Sequence, residues 1–361
     1  MAVVVLSAAC ANSSIVPGDA GVGDARLGSD AGTPPIDDGG LASTDSAAVP
    51  DGATGPTDGA AVLADGTSPA DGSSPLGDAA PPLDDANPSG CALDLAHLSA
   101  PGCTVLKTDT AVDADVVTLW RRIDCQETAR VAFVATGGDP HATASGASQG
   151  NTSYRRTTVF DGDDYYGERC ELGKNDWRDS FAVYHQGERR ITFVSLRLPD
   201  DFPLSTSDWQ VVLQMKQAQP SDNGGGTPIL SLEARGGRWH LIQSTSSGPS
   251  SDTTSIWSTA AQPNVWTRFA IDVTYSPDPA VGSVQVFVDQ DNDGVADETS
   301  PRLATYTQKI ETAGTSDDGL DAGDAIPSHL RVGLYHNPGI ACAAGCSVEI
   351  DNVQVVAPDL P

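Results

Sequence analysis

Three short segments of the sequence carry charged or hydrogen-bonding side chains on one side of an alternating pattern, with apolar residues on the other. The segments are "GERCELG" (167–173), "LQMKQ" (213–217) and "HLRVGLYHN" (329–337). Their polar positions are Arg169 and Glu171, Gln214 and Lys216, and Arg331 and Tyr335. For any one strand, an ordinary solvated face is the simpler interpretation. Three such strands together favour the floor of a binding site.

These side chains would be positioned by strands, because from about residue 104 the chain alternates in short β segments separated by Gly, Pro, Asp and Ser. No long stretch with a 3.6-residue period competes. We therefore predict an all-β jelly-roll sandwich of the concanavalin/laminin-G kind. The clearest strands are 129–135, 189–198, 209–217, 228–234, 238–244, 266–276, 283–289, 329–337 and 347–356.

The strand "WQVVLQMKQ" (209–217) shows how the alternation assigns faces. With a period of two, Trp209, Val211, Leu213 and Met215 fall on one side, which we predict to be the core. Gln210, Val212, Gln214 and Lys216 fall on the other side, which we predict to face a binding groove. In the same way Leu330, Val332 and Leu334 are expected in the core, with Arg331 and Tyr335 facing outward.

The N-terminal quarter of the chain has a different composition. Residues 1–90 contain 13 Asp, one Arg and no Phe, Trp or Tyr. Such a segment cannot bury enough apolar surface to fold, so we predict a disordered acidic linker over 11–90 and a β domain over 91–361. The domain carries −17 of the chain's net charge of −29, which argues against a nucleic-acid partner.

The first ten residues, "MAVVVLSAAC", resemble the end of a bacterial lipoprotein signal, with Cys10 as the lipidated residue. No basic residue precedes the apolar run, and Ser7 stands where Leu is usual, so an unremarkable N-terminus stays the alternative. We expect an exported protein, either secreted or an outer-membrane or cell-surface lipoprotein. Its only contact with a membrane would be through this anchor.

The remaining six cysteines, an even number, suit three disulfides in an oxidising compartment. Neighbours in sequence suggest Cys91–Cys103 and Cys342–Cys346, which leaves Cys125–Cys170. Six cysteines allow fifteen pairings, so the connectivity stays open at this point. A zinc site is the weaker alternative, because no pair has Cys-x-x-Cys spacing.

The order of the polar strands resembles the jelly-roll polysaccharide lyases of the heparin lyase I, alginate lyase and glucuronan lyase type. Those enzymes carry an Arg-x-Glu strand, a Pro-Asp-Asp-Phe turn, a Gln-x-His strand, a Phe-Lys-x-Gly-x-Tyr strand and a closing Asp-Asn-Val strand. The resemblance covers roughly residues 125–356. The corresponding segments here are "GERCELG", "LRLPDDFP" (196–203), "LQMKQ", "HLRVGLYHNP" (329–338) and "EIDNVQV" (349–355).

The resemblance implies β-elimination across a 4-linked uronic acid. Removing the C5 proton requires that the neighbouring carboxylate be neutralised and that an acid protonate the departing O4. By resemblance, Arg169 and Gln214 would bind the carboxylate and Tyr335 would act as acid and base. Lys216 stands where many relatives have His, and it could be the base, a cation that binds an acidic sugar, or a sign that the base is lost.

The expected partner is an acidic polysaccharide, and the protein is expected to be a monomer. Local charge decides such binding, because salt screens charges beyond about 8–10 Å. The expected substrate-binding residues are Glu171, Arg331, Arg235, His336 and Asn337, with Arg190 as a further candidate cation. The alternative function is a non-catalytic carbohydrate-binding module that uses the same face only to hold sugar.

A second constellation lies in "DQDNDGVADE" (289–298). Asp289, Asp291, Asp293 and Asp297 alternate around Gly294, which is a pattern of calcium-binding loops. It departs from an EF-hand because position twelve is Ser300. A structural Ca²⁺ ion and a solvated Asp-Gly hairpin are both compatible with it. No organic cofactor is expected, and no paired glycosidase carboxylates are present.

Overall fold

The structure, a computed structural model, describes residues 91–109, 120, 122–135, 153–165, 167–173, 183–217, 227–245, 252–310 and 321–358. Two antiparallel sheets form a β-sandwich, which confirms the predicted fold class. All nine predicted strands are present, with ends that differ by at most a few residues. Cys10, residues 1–10 and the 11–90 linker lie outside the described residues, so those predictions stay predictions.

One sheet, called the rear sheet here, has the order β14-β13-β12-β7-β17-β4-β3, with β1 on β17 and β15 on β13. Its strands are β1 (Cys103–Asp109), β3 (Val131–Ala135), β4 (Ser153–Val159), β7 (Arg189–Arg197), β12 (Thr267–Thr274), β13 (Ser283–Asp289), β14 (Glu298–Thr299), β15 (Leu303–Ala304) and β17 (Cys346–Pro358).

The other sheet, called the front sheet here, has the order β11-β10-β9-β8-β16-β5-β2, with β6 on β16. Its strands are β2 (Arg122–Cys125), β5 (Arg169–Gly173), β6 (Val183–Tyr184), β8 (Gln210–Gln217), β9 (Leu230–Arg235), β10 (Arg238–Ser244), β11 (Thr253–Ala260) and β16 (Ser328–His336). A short 3₁₀ turn, Thr128–Arg130, precedes β3. No helix in the described residues is long and apolar enough to cross a membrane.

The apolar faces of the two sheets meet in one core. Leu330, Val332 and Leu334 of β16 lie in it, as their spacing predicts, opposite side chains such as Phe269 and Ile271 of β12. This leaves the alternate residues of β16 on the outward side of the front sheet, called the front face here. The core therefore fixes which residues of each front strand can meet a ligand.

The face assignment for β8 is wrong at its start. Val212 and Leu213 both lie in the core, although they are consecutive, because the pairing of β8 with β9 shifts between Val211 and Leu213. This bulge reverses the alternation on its N-terminal side. Trp209, predicted to be in the core, instead contacts the ring of Tyr335, with the ring centroids 4.7 Å apart.

The three disulfides are Cys91–Cys103, Cys125–Cys170 and Cys342–Cys346, as sequence proximity suggests. The first closes a segment that packs Leu95 and Leu98 against the outward side of the rear sheet. The second joins β2 to β5 and so holds the outer strand of the front sheet beside the polar positions of β5.

Candidate active site

The front sheet places the predicted catalytic residues on three adjacent strands. Arg169 of β5 is paired with Tyr335 of β16, and Arg331 of β16 is paired with Gln214 of β8. Gly333 lies between them on β16 with φ of +150°, and a Cβ there would lie 2.2 Å from the carbonyl oxygen of Cys170. Only glycine allows β16 to approach β5 this closely, so Gly333 supports the contact between Arg169 and Tyr335.

Arg169 is the cation next to Tyr335. Its guanidinium carbon lies 3.8 Å from the centroid of the tyrosine ring, an attractive cation–π geometry. Its ion pair with Glu171 is long, with 3.6 Å between Nη1 and Oε2. Among the described residues, no group accepts a hydrogen bond from its buried Nε. The guanidinium is therefore held in place with donor capacity left over, which is what binding an anion requires.

Glu171 lies at the centre of the front face. Gln214 donates a hydrogen bond from Nε2 to Oε1 of Glu171, and Arg331 approaches Oε2 at 3.7 Å. Oε2 itself accepts no hydrogen bond from the described part of the chain. Gln214 was expected to donate to the carboxylate of a substrate. In the structure it donates to the protein's own carboxylate, so Glu171 orients Gln214. The expected contacts of Gln214 and Glu171 with substrate stay predictions.

Arg331 is engaged away from Tyr335. Its Nη1 lies 2.8 Å from Oδ2 of Asp124, and its Nε donates to Nε2 of His329 at 2.9 Å. Asp124 also accepts from Arg122, with 2.5 Å between Nε and Oδ1. Sequence reasoning missed both Asp124 and His329. The sequence contained a signal for each. His329 is two positions from Arg331 and so shares a face with it, and Asp124 precedes Cys125, which forms a disulfide with Cys170 of β5.

His329 is fully buried and is paired with Lys216 on the neighbouring strand. Burial lowers the pKa of its imidazole well below 6.5, and the charges of Arg331, Lys216 and Arg122 lower it further. The ring is therefore neutral at neutral pH. Since Arg331 donates to Nε2, the proton lies on Nδ1, which has no hydrogen-bond acceptor among the described residues.

The site residues form a line along β16, with Tyr335 and Arg169 at one end and Lys216 with His329 at the other. Tyr335 lies six positions after His329 on this strand. At about 3.3 Å per residue, the two ends lie on the order of 20 Å apart along the strand. Lys216, which is buried, is thus placed with His329 and Arg331 rather than with Tyr335.

Among the described residues, this line holds more cations than carboxylates, although the chain is strongly acidic. Four cationic side chains lie with two carboxylates there, and the neutral His329 adds no charge. The cations are Arg122, Arg169, Lys216 and Arg331, and the carboxylates are Asp124 and Glu171. Cations at such mostly buried positions are suited to an anionic ligand.

Two predicted substrate-binding residues lie at the end of β16, and one of them, His336, is not on the front face. His336 is fully buried on the side of the strand opposite Tyr335, with Nε2 3.3 Å from Sγ of Cys342. Its Nδ1 lies 2.9 Å from the carbonyl oxygen of Asn337. Asn337 shapes the following turn, because its Oδ1 accepts a hydrogen bond from the amide of Gly339. Their expected contact with sugar stays a prediction.

Arg235 lies on β9, two strands from Tyr335 in the front sheet, and its Nε is 3.3 Å from Oε2 of Glu233. Burial raises the pKa of the Glu233 carboxyl, and Arg235 partly opposes that shift. Arg190, the further candidate, lies on β7 of the rear sheet and pairs with Glu188 at 2.7 Å. The structure therefore does not bring Arg190 to the front face.

Three of the four predicted calcium ligands converge: carboxylate oxygens of Asp289, Asp291 and Asp297 lie within 4.8 Å of one another. Asp293 is not part of this group, and its Oδ1 accepts from the amide of Val295. Asp289 is already engaged by Arg268 at 3.1 Å and by backbone amides. Burial is the largest influence on the Asp289 carboxyl and raises its pKa.

The chain resembles several solved structures and one protein family. No curated protein sequence matches the chain. Among solved structures, it is similar to an endo-β-1,4-glucuronan lyase from the fungus Trichoderma reesei, with 17% identity, 64% of this chain and 90% of the other covered, and a TM-score of 0.43. It is also similar to an alginate lyase from Aplysia kurodai, with 10% identity, 71% and 100% covered, and a TM-score of 0.47.

A third similar structure, the binding domain of botulinum neurotoxin serotype G, shares 12% identity over 58% of this chain and 40% of that one, with a TM-score of 0.32. Structural likeness at this level does not separate an enzyme from a binding module. The family comparison does, because the polysaccharide lyase family matches residues 120–354, which include every residue of the line from Arg122 to Tyr335. The chain therefore belongs to the polysaccharide lyase family.

Proposed function

We propose that this lyase cleaves a polysaccharide that contains uronic acid by β-elimination, with Arg169 on the uronate carboxylate and Tyr335 as acid and base. The observation that carries the proposal is the position of Arg169. Its guanidinium lies over the Tyr335 ring at 3.8 Å and keeps an unpartnered Nε within the described residues. A carboxylate bound there would place its sugar beside the tyrosine hydroxyl.

The chemistry follows from the weak acidity of the C5 proton. As this proton leaves, negative charge develops on the carboxylate, and a fixed guanidinium lowers the energy of that state. In this step Tyr335 acts as the phenolate: its oxygen takes the proton from C5 and then gives it to O4 as the C4–O4 bond breaks, so the phenolate is restored. The products are a reducing end and a sugar with a C4–C5 double bond.

The other end of the line has a supporting role in this proposal. Lys216 and Arg331 would bind a carboxylate of a neighbouring sugar, since their cluster is separated from Tyr335 by most of the length of β16. Binding of this kind positions the chain and does not transfer protons. In this proposal Lys216 is a cationic contact for the substrate. It is not the base, although it stands where relatives with a Gln-x-His strand have His.

The test is the absorbance of the unsaturated product when the full chain is incubated with glucuronan, alginate or heparin-type chains. We expect activity on at least one of them, and we expect Tyr335→Phe to reduce kcat by about 10²–10⁴-fold. Tyr306→Phe is the matched control, because Tyr306 packs against the core and not in the site. No unsaturated product from any uronate polymer, or full activity in Tyr335→Phe, would contradict the proposal.

Three disulfides agree with an oxidising compartment, and we propose that the protein is exported with Cys10 as its lipidated residue. Expression in a bacterial host with radiolabelled palmitate would test the anchor. Label in the wild type and none in Cys10→Ala is the expected result. Absence of label in the wild type would instead favour an unanchored form.

The calcium loop stays a prediction of the sequence pattern. Convergence of Asp289, Asp291 and Asp297 supports it, while the pairing of Asp289 with Arg268 gives the loop an internal cation. At an ion concentration equal to Kd, binding would add only about 0.4 kcal/mol of stability. Thermal unfolding of the wild type with calcium and with a chelator measures this difference, and Asp291→Asn is the control. Identical unfolding curves of the wild type under the two conditions would contradict calcium binding.

A further inference from the structure

We propose that Trp209 is an aromatic platform that binds a sugar ring of the substrate next to the cleaved bond. This inference rests on the proposed function, because it takes Tyr335 as the residue at the reacting atoms. It adds a residue that determines affinity, and it assigns that residue a contact with an uncharged surface of the sugar instead of with its carboxylate.

The position of Trp209 is created by two irregularities in adjacent strands. The pairing of β8 shifts between Val211 and Leu213, and the pairing of β16 with β8 shifts between Val332 and Tyr335. Together they bring Trp209 and Tyr335 to the same side of the sheet. The rings meet edge to face, with centroids 4.7 Å apart and an interplanar angle of 65°.

The backbone of Trp209 is also fixed, because its carbonyl oxygen accepts a hydrogen bond from the amide of Asn337 at 3.1 Å. Asn337 follows the last residue of β16, so this bond joins the starting end of β8 to the end of β16. The indole is thus held by its main chain and by one edge contact. A side chain anchored in this way loses little further entropy when a ligand covers it.

Exposure separates Trp209 from the core tryptophans. Trp120, Trp239 and Trp266 are at most 1% exposed, whereas Trp209 is partly exposed. Trp257 is also partly exposed, but it packs against the core and its indole N–H donates to Glu298 at 2.9 Å. Within the described residues, Trp209 is therefore the tryptophan that combines solvent exposure with contact to a site residue.

The chemistry suits a pyranose ring. A sugar ring presents polar hydroxyls at its rim and C–H groups on its faces, and an aromatic ring covers such a face while the rim stays hydrated. The Arg169 guanidinium lies over the face of Tyr335, and Trp209 meets the same ring. Arg169 would bind the carboxylate of one sugar. Trp209 would cover the apolar face of the same sugar ring or of the next one.

Salt concentration distinguishes these two contributions. Attraction between a carboxylate and a guanidinium weakens as ions screen it, whereas stacking on an indole does not depend on charge. We therefore expect Trp209→Ala to raise KM about tenfold. This factor should be the same at low and at high ionic strength. Trp209→Phe should retain part of the affinity, and kcat should change less than threefold.

The measurement is steady-state cleavage of the preferred uronate polymer at two salt concentrations, with Trp257→Phe as the control of matched chemistry. Dissociation constants for an oligosaccharide are measured in parallel by calorimetry, comparing Tyr335→Phe with Tyr335→Phe/Trp209→Ala. A tenfold weaker binding in the double variant is expected. A fall in kcat with unchanged KM and unchanged binding would overturn the proposal, because Trp209 would then only hold Tyr335 in place.

Failure of the proposed function gives a different result. If the wild type binds an acidic oligosaccharide but releases no unsaturated product, the lyase mechanism is wrong. The platform proposal is then tested by binding alone: weaker binding of the oligosaccharide by Trp209→Ala than by the wild type would support it, and equal binding would contradict it. If the wild type binds no such oligosaccharide, the platform proposal is overturned as well.

Discussion

Buried charges occur on the outward side of both sheets, and the two clusters differ in how completely their charges are paired. On the rear sheet, Arg197 lies between the rings of Tyr154 and Trp266, 5.1 and 5.0 Å from their centroids. It donates to Glu349, which also accepts from Arg156 at 3.0 Å. Both carboxylate oxygens of Glu349 therefore have guanidinium partners.

On the front sheet the corresponding charges are held less tightly. Arg169 approaches Glu171 only at 3.6 Å, and Nε of Arg169 and Oε2 of Glu171 have no hydrogen-bond partner among the described residues. Buried polar groups are nearly always satisfied, so such exceptions indicate strain or a missing ligand. The comparison indicates that the rear cluster stabilises the fold, and it supports the proposal that the front cluster binds an anion.

The largest effect on activity is expected for Arg169→Gln. Removing the guanidinium takes away the charge that stabilises the developing enolate, so kcat/KM should fall by about 10²–10³-fold. Arg169→Lys should recover part of this. Thermal unfolding should change little, because the ion pair that is lost is long. A large loss of stability with activity retained would reverse the roles of the two clusters.

The largest effect on stability is expected for Arg197→Gln. The substitution leaves Glu349 with one fewer partner in a buried environment, and breaking a buried ion pair in this way costs about 3–5 kcal/mol. Denaturant unfolding measures the loss. The activity of the folded fraction, assayed well below the transition, should match the wild type, and a lower kcat there would mean that the rear cluster contributes to the reaction.

Lys216→Met separates a cationic contact from a base. As a contact, Lys216 contributes screened electrostatic attraction, so we expect KM to rise about tenfold at low salt and less at high salt. Lys216→Arg should behave like the wild type. A fall in kcat of more than a hundredfold, at every salt concentration, would instead identify Lys216 as the base.

The smallest effect concerns pH. The pKa of His329 is lowered in the folded protein, so between that value and about 6.5 the unfolded chain binds the extra proton. Stability is thus fully present above pH 6.5 and declines as pH falls, by at most about 1.4 kcal/mol per pH unit from this residue. Urea unfolding at pH 7.5 and 5.5 should show a smaller difference in His329→Gln; an equal difference would contradict this.

Local pattern was enough to predict much of the fold. Alternation correctly placed Leu330, Val332 and Leu334 in the core. Proximity in sequence suggested the disulfides Cys91–Cys103 and Cys342–Cys346, and Cys125–Cys170 was the pair that remained. The same rule failed at Trp209, because a bulge adds one residue to one strand and reverses the faces beyond it. Nothing in "WQVVLQMKQ" marks that bulge, since Val212 and Leu213 are equally apolar.

The site was predicted in its residue types but not in its contacts. Arg331 was predicted to bind substrate, but its contacts with Asp124 and His329 were not predicted. Asp124 lies more than 200 positions away in sequence, and no local pattern connects two residues that meet only because β2, β5 and β16 are neighbours.

The sequence by itself determined the positions of most strands and the polar side of several of them, and its motifs showed a resemblance to a family with a known order of motifs. The strand predictions depend on periodicity and spacing, which are local. Only the tertiary structure decided which cation meets Tyr335, that His329 faces Lys216, and that Trp209 lies on the front face. These depend on strand order and register, which are set by packing of the whole sandwich.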